Sequence, residues 1–267
     1  MTNSRFLSLQ GTNLHYRITG SGKSHLLLFH GFGQDASAFR SFADSLSREY
    51  TVYSFDLYFH GASSWREDET PLEKTFLESV ISQFLKGHSI AHFSIAAYSL
   101  GAKFALAIVT MFPEKIKALT LIAPDGIKTN FWYSMATYPL PLRKLFKSMV
   151  THPTRFTTLV HTLQKMKIMD ASLARFAETR MDTMAKRKKV YASWVVFRRL
   201  TTDVRAVASA INKHRIALTV FAGKHDRVIP PENMNRLLRH VRHYRFEILE
   251  SGHSGLIRQA AARLTNN

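Results

Sequence analysis

Apolar positions along this chain alternate between short continuous runs and a recurrence every three or four residues. Phe6–Leu9 and Leu14–Ile18 are strand-like, and Gly11-Thr12-Asn13 between them is a hairpin signal. Gly20-Ser21-Gly22 turns the chain into the apolar run Leu26–Phe29, the pattern of a strand buried on both faces. Asp35 or Ser37 then suits the cap of a helix reaching Arg48, with Phe39, Phe42, Ala43 and Leu46 on one side. The same spacing predicts strands at Thr51–Phe55, Ile90–Tyr98 and Ile116–Ala123, separated by helices over Pro71–Lys86 and Leu100–Phe112.

Such alternation implies right-handed crossovers and a mostly parallel sheet. It resumes near the end with strands at Leu218–Ala222 and Tyr244–Leu249 and helices at Pro231–His240 and Ser254–Leu264. From about Ile127 to Arg215 the run is helical only. One stripe carries Phe156, Leu159, Val160, Leu163 and Met166, and a second Leu173, Phe176, Ala177, Met181 and Met184. Val190, Trp194 and Phe197 suggest a third. The expectation is an α/β core, residues 1–126 and 216–267, with an eight-stranded, mostly parallel sheet flanked by helices. Residues 127–215 form an all-helical insertion.

Composition narrows the chemistry. The 267 residues include no Cys, which excludes disulfides, thiolate catalysis and cysteine-bound metal. Residues 1–13 lack a signal-peptide apolar core, and no apolar run reaches the ~18 residues of a membrane span. A soluble cytoplasmic protein is expected. The 37 Lys and Arg against 19 Asp and Glu leave a net charge of +18, which attracts polyanions whatever the function. From Lys128 to Arg215 there are 18 basic and four acidic residues, so the basic character is expected in the insertion.

Gly22-Lys23-Ser24 resembles the end of a phosphate-binding loop. However, Arg17 stands where that motif needs its first glycine, and a strand follows instead of a helix. A stronger signal is Ala97-Tyr98-Ser99-Leu100-Gly101, a serine between strand and helix with small residues two positions to either side. An ordinary helix-capping serine would look similar in isolation. Three further features accompany it: His30-Gly31-Phe32-Gly33 directly after a buried strand, Asp226 after the Leu218–Ala222 strand, and His253 after the last strand. The chain order is therefore Ser, Asp, His, the order of an elbow-type triad.

With these motifs in register, the sequence resembles the α/β-hydrolase fold family over roughly Phe6–Asp125 and Leu218–Leu264. Ala97 departs from the commoner glycine of the elbow. The resemblance implies Ser99 as nucleophile, His253 as general base and then acid, Asp226 as its orienting carboxylate, and the amides of Phe32 and Leu100 as oxyanion donors. Asp125, after the Ile116–Ala123 strand, is the alternative acid, though it also suits a turn. His30, Asp56 and His60 read as backbone-organising residues. The insertion would be the family's variable helical cap, in which Met and aromatic residues suit either an apolar acyl pocket or cap core.

Tyr98, Trp132 and Trp194 are candidate substrate contacts. Lys186-Arg187-Lys188-Lys189 suits a phosphate-rich surface or a solvated helix face equally. The expected activity is hydrolysis of a small ester or acyl substrate through an acyl-Ser99 intermediate, without metal or cofactor. Weak attraction to an anionic membrane surface and no specific nucleic-acid binding are also expected. The same triad serves thioester or C–C hydrolysis, or a lyase reaction on a carboxylate. A non-catalytic protein holding an anionic ligand through the basic insertion is the rival from another class.

Overall fold

The apolar runs become the middle of one sheet in the computed structural model, which describes residues 3–66, 69–128, 131–169 and 171–265. In chain order the first half comprises β1 (Asn3–Leu9), β2 (Thr12–Thr19), β3 (Ser24–Phe29), α1 (Arg40–Leu46), β4 (Tyr50–Phe55), α2 (Lys74–Gly87), β5 (Phe93–Tyr98), α3 (Gly101–Met111) and β6 (Ile116–Ile122). Five helices follow: α4 (Phe131–Thr137), α5 (Leu140–Thr151), α6 (Pro153–Lys165), α7 (Ala171–Met181) and α8 (Met184–Val196). The chain closes with α9 (Val204–His214), β7 (Ala217–Gly223), α10 (Asn235–Leu238), β8 (Tyr244–Leu249) and α11 (Leu256–Thr265).

The strand order is β1-β2-β4-β3-β5-β6-β7-β8. β1, β2 and β4 pair antiparallel, and every pair from β4–β3 to β7–β8 is parallel. Helices cover both faces. On one, α1 and α11 pack together over a core of Leu26, Leu28, Phe42, Ala96, Tyr98 and Phe221. On the other, α3 packs against α2 and α9, and Phe29 stacks on Phe104 of α3 at 6.3 Å. The alternation of side chains along β3 and β5 assigns successive residues to opposite cores.

Several boundaries moved for local reasons. β5 begins at Phe93 instead of Ile90, because the Ile90 amide closes α2 by donating to Leu85 O at 2.9 Å, with Ser89 left-handed before it. Helix α2 begins at Lys74 and buries Leu77, Val80, Ile81, Phe84 and Leu85. Pro71 and Leu72 lie outside it, and the Leu72 amide donates to Val196 O. The expected helix Pro231–His240 is a 3-10 turn, Pro231–Met234, followed by the short α10.

The chain divides into two compact units: residues 1–66, 73–128 and 200–267, and residues 67–72 with 129–199. The expected insertion boundary at 215 therefore differs from the structure. Helix α9 buries Val207, Ala208 and Ile211 and packs on α3 and α10, so it belongs with the sheet. Charge divides differently too. The second unit has 14 basic and six acidic residues, net +8, and the first has 23 and 13, net +10. The insertion does not hold most of the excess, because Arg205, Lys213 and Arg215 belong to the sheet unit while Glu67, Asp68 and Glu69 belong to the other.

Within the second unit, α6 buries Val160 and Leu163 but leaves Leu159 exposed, as is Met166 just after its end. The basic run on α8 is not a uniform solvated face. Arg187 is buried and donates to three carbonyls, Val150 O at 2.9 Å, Met181 O at 3.0 Å and Asp182 O at 3.1 Å. It thereby satisfies acceptors at the C-terminal ends of α5 and α7. No helix among the described residues is long and apolar enough to cross a membrane.

Candidate active site

β5 is buried along its whole length and delivers the chain to a sharp elbow. Ser99 there has φ +49°, a left-handed conformation that costs a non-glycine residue about 1–2 kcal/mol. Its backbone is held from both sides. The Ser99 amide donates to Ile122 O at 3.0 Å, and the Ser99 carbonyl accepts from Ala102 and Asp125, each at 3.0 Å. The need for a small residue two positions on has a specific cause: a Cβ at Gly101 would lie 2.2 Å from Phe29 O and 2.7 Å from His30 O. Helix α3 starts immediately, with Leu100 as its N-cap, so the amides around Leu100 lie at the positive end of an eleven-residue helix.

Asp226 and His253 lie three and four residues beyond the ends of β7 and β8, where Gly223 and Leu249 are in register. Backbone bonds join the two loops, Lys224 N to Leu249 O at 2.9 Å and His225 N to Ser251 O at 3.0 Å. The Asp226 carboxylate is fully buried: Oδ1 accepts from Val228 N and Ile229 N at 2.9 Å each, and Oδ2 lies 2.6 Å from His253 Nδ1. An ionised carboxylate only accepts, so Nδ1 carries the proton and Nε2 is left as an acceptor. That Nε2 is 3.0 Å from Ser99 Oγ. The three side chains form one continuous hydrogen-bonded row.

Tyr98, expected as a substrate contact, is buried, and its hydroxyl donates to His253 O at 2.7 Å. It positions the histidine loop. Asp125, the alternative acid, instead accepts from Gly126 N at 2.7 Å, and its Oδ2 is 3.6 Å from Lys103 Nζ. Trp194 sits among Tyr133 and Phe146 at ring distances of 5.2 and 5.6 Å, part of the aromatic core of the second unit. The side chain of Trp132 lies outside the described residues.

The His30–Gly33 loop runs against the elbow, since a Cβ at Gly31 would meet the Tyr98 ring at 2.7 Å and Ser99 Cβ at 3.2 Å. Phe32 follows directly and packs its ring on His60. His30 accepts from Leu57 N at Nε2 and donates from Nδ1 to Gly31 O at 2.7 Å, so both ring nitrogens hold backbone. Gln34, which the sequence did not single out, accepts from Gly31 N at 2.9 Å through Oε1. Nothing in its spacing marks it, because the contact exists only once the loop has turned.

A second Ser–His–Asp row, also unmarked in the sequence, joins Ser4 Oγ to His15 Nε2 and His15 Nδ1 to Asp56 Oδ2, the latter at 2.7 Å. Its setting differs from the elbow. Ser4 lies within the edge strand β1, far from any helix start, and Asp56 also accepts from Ala36 N and Ala62 N. Asp56 therefore ties its own loop to β2 and to the turn at Ala36, as expected of a backbone-organising residue.

A model of the alpha/beta hydrolase fold matches residues 24–259. The chain belongs to the α/β-hydrolase fold family. Among curated relatives of this α/β-hydrolase, the dihydrolipoyllysine-residue acetyltransferase component of the acetoin cleaving system of Cupriavidus necator is 28% identical over 122 residues. That match covers 46% of this chain and 32% of the relative. The (lyso)-N-acylphosphatidylethanolamine lipase of Bos taurus is 29% identical over 130 residues, 46% of this chain and 38% of the relative. The chain thus matches well under half the length of either relative. Among solved structures, a thermophilic esterase from Thermogutta terrifontis shares the fold of this α/β-hydrolase, with TM-score 0.69 and 17% identity over 100% of this chain and 96% of that one.

Proposed function

We propose that this α/β-hydrolase is a serine hydrolase of carboxylic esters, acting through an acyl-Ser99 intermediate. The observation that carries the reading is the row Ser99 Oγ, His253 Nε2, His253 Nδ1, Asp226 Oδ2 at 3.0 and 2.6 Å, with its serine on a left-handed elbow. Ser99 Oγ attacks the ester carbonyl carbon while its proton passes to His253 Nε2. Asp226 stabilises the imidazolium through Nδ1–H and keeps the ring in the tautomer that can accept. Negative charge developing on the carbonyl oxygen is taken up by the amides of Leu100 and Phe32, a contribution worth roughly 10²–10³ in rate per donor.

Collapse breaks the bond to the alcohol, which takes the His253 proton. Water then repeats the sequence on the acyl-enzyme and restores Ser99. The scheme calls on no cofactor. Support for an ester over other acyl compounds comes from the lipase among the relatives, so an acylated phospholipid stands first in the substrate panel, beside simple esters, thioesters and C–C substrates. A fluorophosphonate probe tests the nucleophile without requiring the right substrate. Wild type should be labelled at Ser99 and hydrolyse at least one ester, and Ser99→Ala should do neither. Equal labelling of folded Ser99→Ala, at Ser4 or elsewhere, would overturn the assignment.

A further inference from the structure

The far end of the sheet carries a cleft that the Ser99 chemistry does not use. It has a volume of about 460 Å³ and lies between α9 and the turn entering β8, lined by Arg205, Ser209, Asn212, Lys213, His240 and Arg242. Lys213 and Arg242 precede the first residues of β7 and β8, whereas Asp226 and His253 follow the last. A seven-residue strand at ~3.3 Å per residue puts roughly 20 Å between the two ends. The cleft is therefore separate from the triad.

Its charge is not neutralised from within. Arg205, Lys213 and Arg242 are exposed, and no carboxylate among the described residues lies within 4.0 Å of their cationic groups. Three like charges around one concavity repel one another, and an anion seated among them removes that repulsion. The walls are also fixed in advance. The half-buried Asn212 on α9 donates to His240 O at 2.8 Å and accepts from Arg242 N at 2.9 Å. One amide thus locks the helix to the turn that carries the third cation. Ser209 adds a hydroxyl donor.

We propose that this cleft is a binding site for a phosphate group, with Arg205, Lys213 and Arg242 as its cations and Asn212 as the brace between its walls. Arginine guanidinium suits the bidentate recognition of phosphate oxygens, and the lysine adds a point charge. A volume within the ~300–1,000 Å³ of small-molecule sites accommodates a phosphorylated small molecule or a phospholipid headgroup as readily as inorganic phosphate.

The general attraction of a chain of net charge +18 must be separated from a local site. Wild type, Lys213→Gln/Arg242→Gln, and the charge-matched control Lys144→Gln/Lys188→Gln would be titrated at fixed ionic strength. The ligands would be inorganic phosphate, glycerol 3-phosphate, and vesicles of phosphatidylcholine with and without phosphatidic acid. The cleft variant should bind about 10-fold more weakly, at a few-fold for each exposed cation removed, and the control should stay within about 2-fold. Saturable binding of the free phosphates marks a soluble ligand. Binding confined to phosphatidic acid vesicles marks a lipid headgroup, and both outcomes support the site. Equal losses in the two variants, or wild type that binds none of these ligands, would overturn it. Unchanged fluorophosphonate labelling at Ser99 reports that the cleft variant is folded, and its loss calls for the single variant Lys213→Gln in its place.

Discussion

Replacing Asp226 by Asn tests the tautomer argument almost without changing shape. The Asn carbonyl can still accept from Val228 N and Ile229 N, both now bonded to Oδ1 at 2.9 Å. The amide group, however, would present N–H to His253 Nδ1, where Oδ2 now accepts at 2.6 Å. Two facing donors repel, so the ring relaxes by moving its proton to Nε2. That nitrogen is the one 3.0 Å from Ser99 Oγ, and once protonated it cannot take the serine proton. In Ser-His-Asp hydrolases the wrong tautomer lowers turnover by about 10⁴, or roughly 5.5 kcal/mol of transition-state stabilisation.

Stability should respond much less. Asp226→Asn exchanges one charge-assisted hydrogen bond for a neutral one, a loss of about 1–2 kcal/mol. Asp226→Ala also strands the buried Ile229 amide, at about 1–3 kcal/mol, and the half-buried Val228 amide at less, and should melt below the Asn variant while being similarly slow. The assay is the second-order rate of fluorophosphonate labelling together with the thermal midpoint, for wild type, Asp226→Asn, Asp226→Ala and Asp125→Asn. Asp125 bonds Gly126 and pairs with Lys103, so its variant should label within about 3-fold of wild type. Labelling of folded Asp226→Asn within 10-fold of wild type, or a large loss in Asp125→Asn instead, would refute the reasoning.

Gly101→Ala should lower the thermal midpoint and abolish labelling, since its Cβ would meet backbone oxygen at 2.2 Å and the elbow must shift; overpacking of this kind costs about 1–3 kcal/mol, and retention of both properties would contradict the cause given. Arg187→Ala should expose residues 184–196 to rapid amide hydrogen exchange, because three carbonyls lose a charged donor at about 1.5–3 kcal/mol per bond before relaxation; Lys188→Ala should leave exchange unchanged. Burial holds His25 and His88 below the usual histidine value of 6.5, so the unfolded chain binds protons first as pH falls. Their contribution is complete above pH 6.5 and is lost as pH drops below it, and a thermal midpoint followed from pH 8 to 5 should fall less steeply in His88→Gln.

The order of strands and helices, the fold family and the four loops around Ser99 were legible in the sequence, for related physical reasons. Strands buried on both faces must be continuously apolar, an elbow must have small residues beside its serine, and a parallel sheet places the loops after its strands at one end. Tertiary packing decided what local pattern could not. Tyr98 reads as an aromatic near the nucleophile, and only folding brings its hydroxyl to the carbonyl of a residue 155 positions away. Asp125 and Asp226 both follow strands in turn-like loops, and the carboxylate that meets His253 is determined by the register of β7 on β8. Arg187 is one of four consecutive cations, and its burial depends on two helix ends from elsewhere in the chain. The affiliation of α9 follows from which surface receives its apolar stripe, and with α9 went Arg205 and Lys213, two of the three cations that line the cleft at the far end of the sheet. Periodicity specifies the side of a helix or strand that must be covered, because that is a property of the local backbone. The neighbour that covers it, and the partner each polar group finds there, depend on contacts between residues distant in sequence.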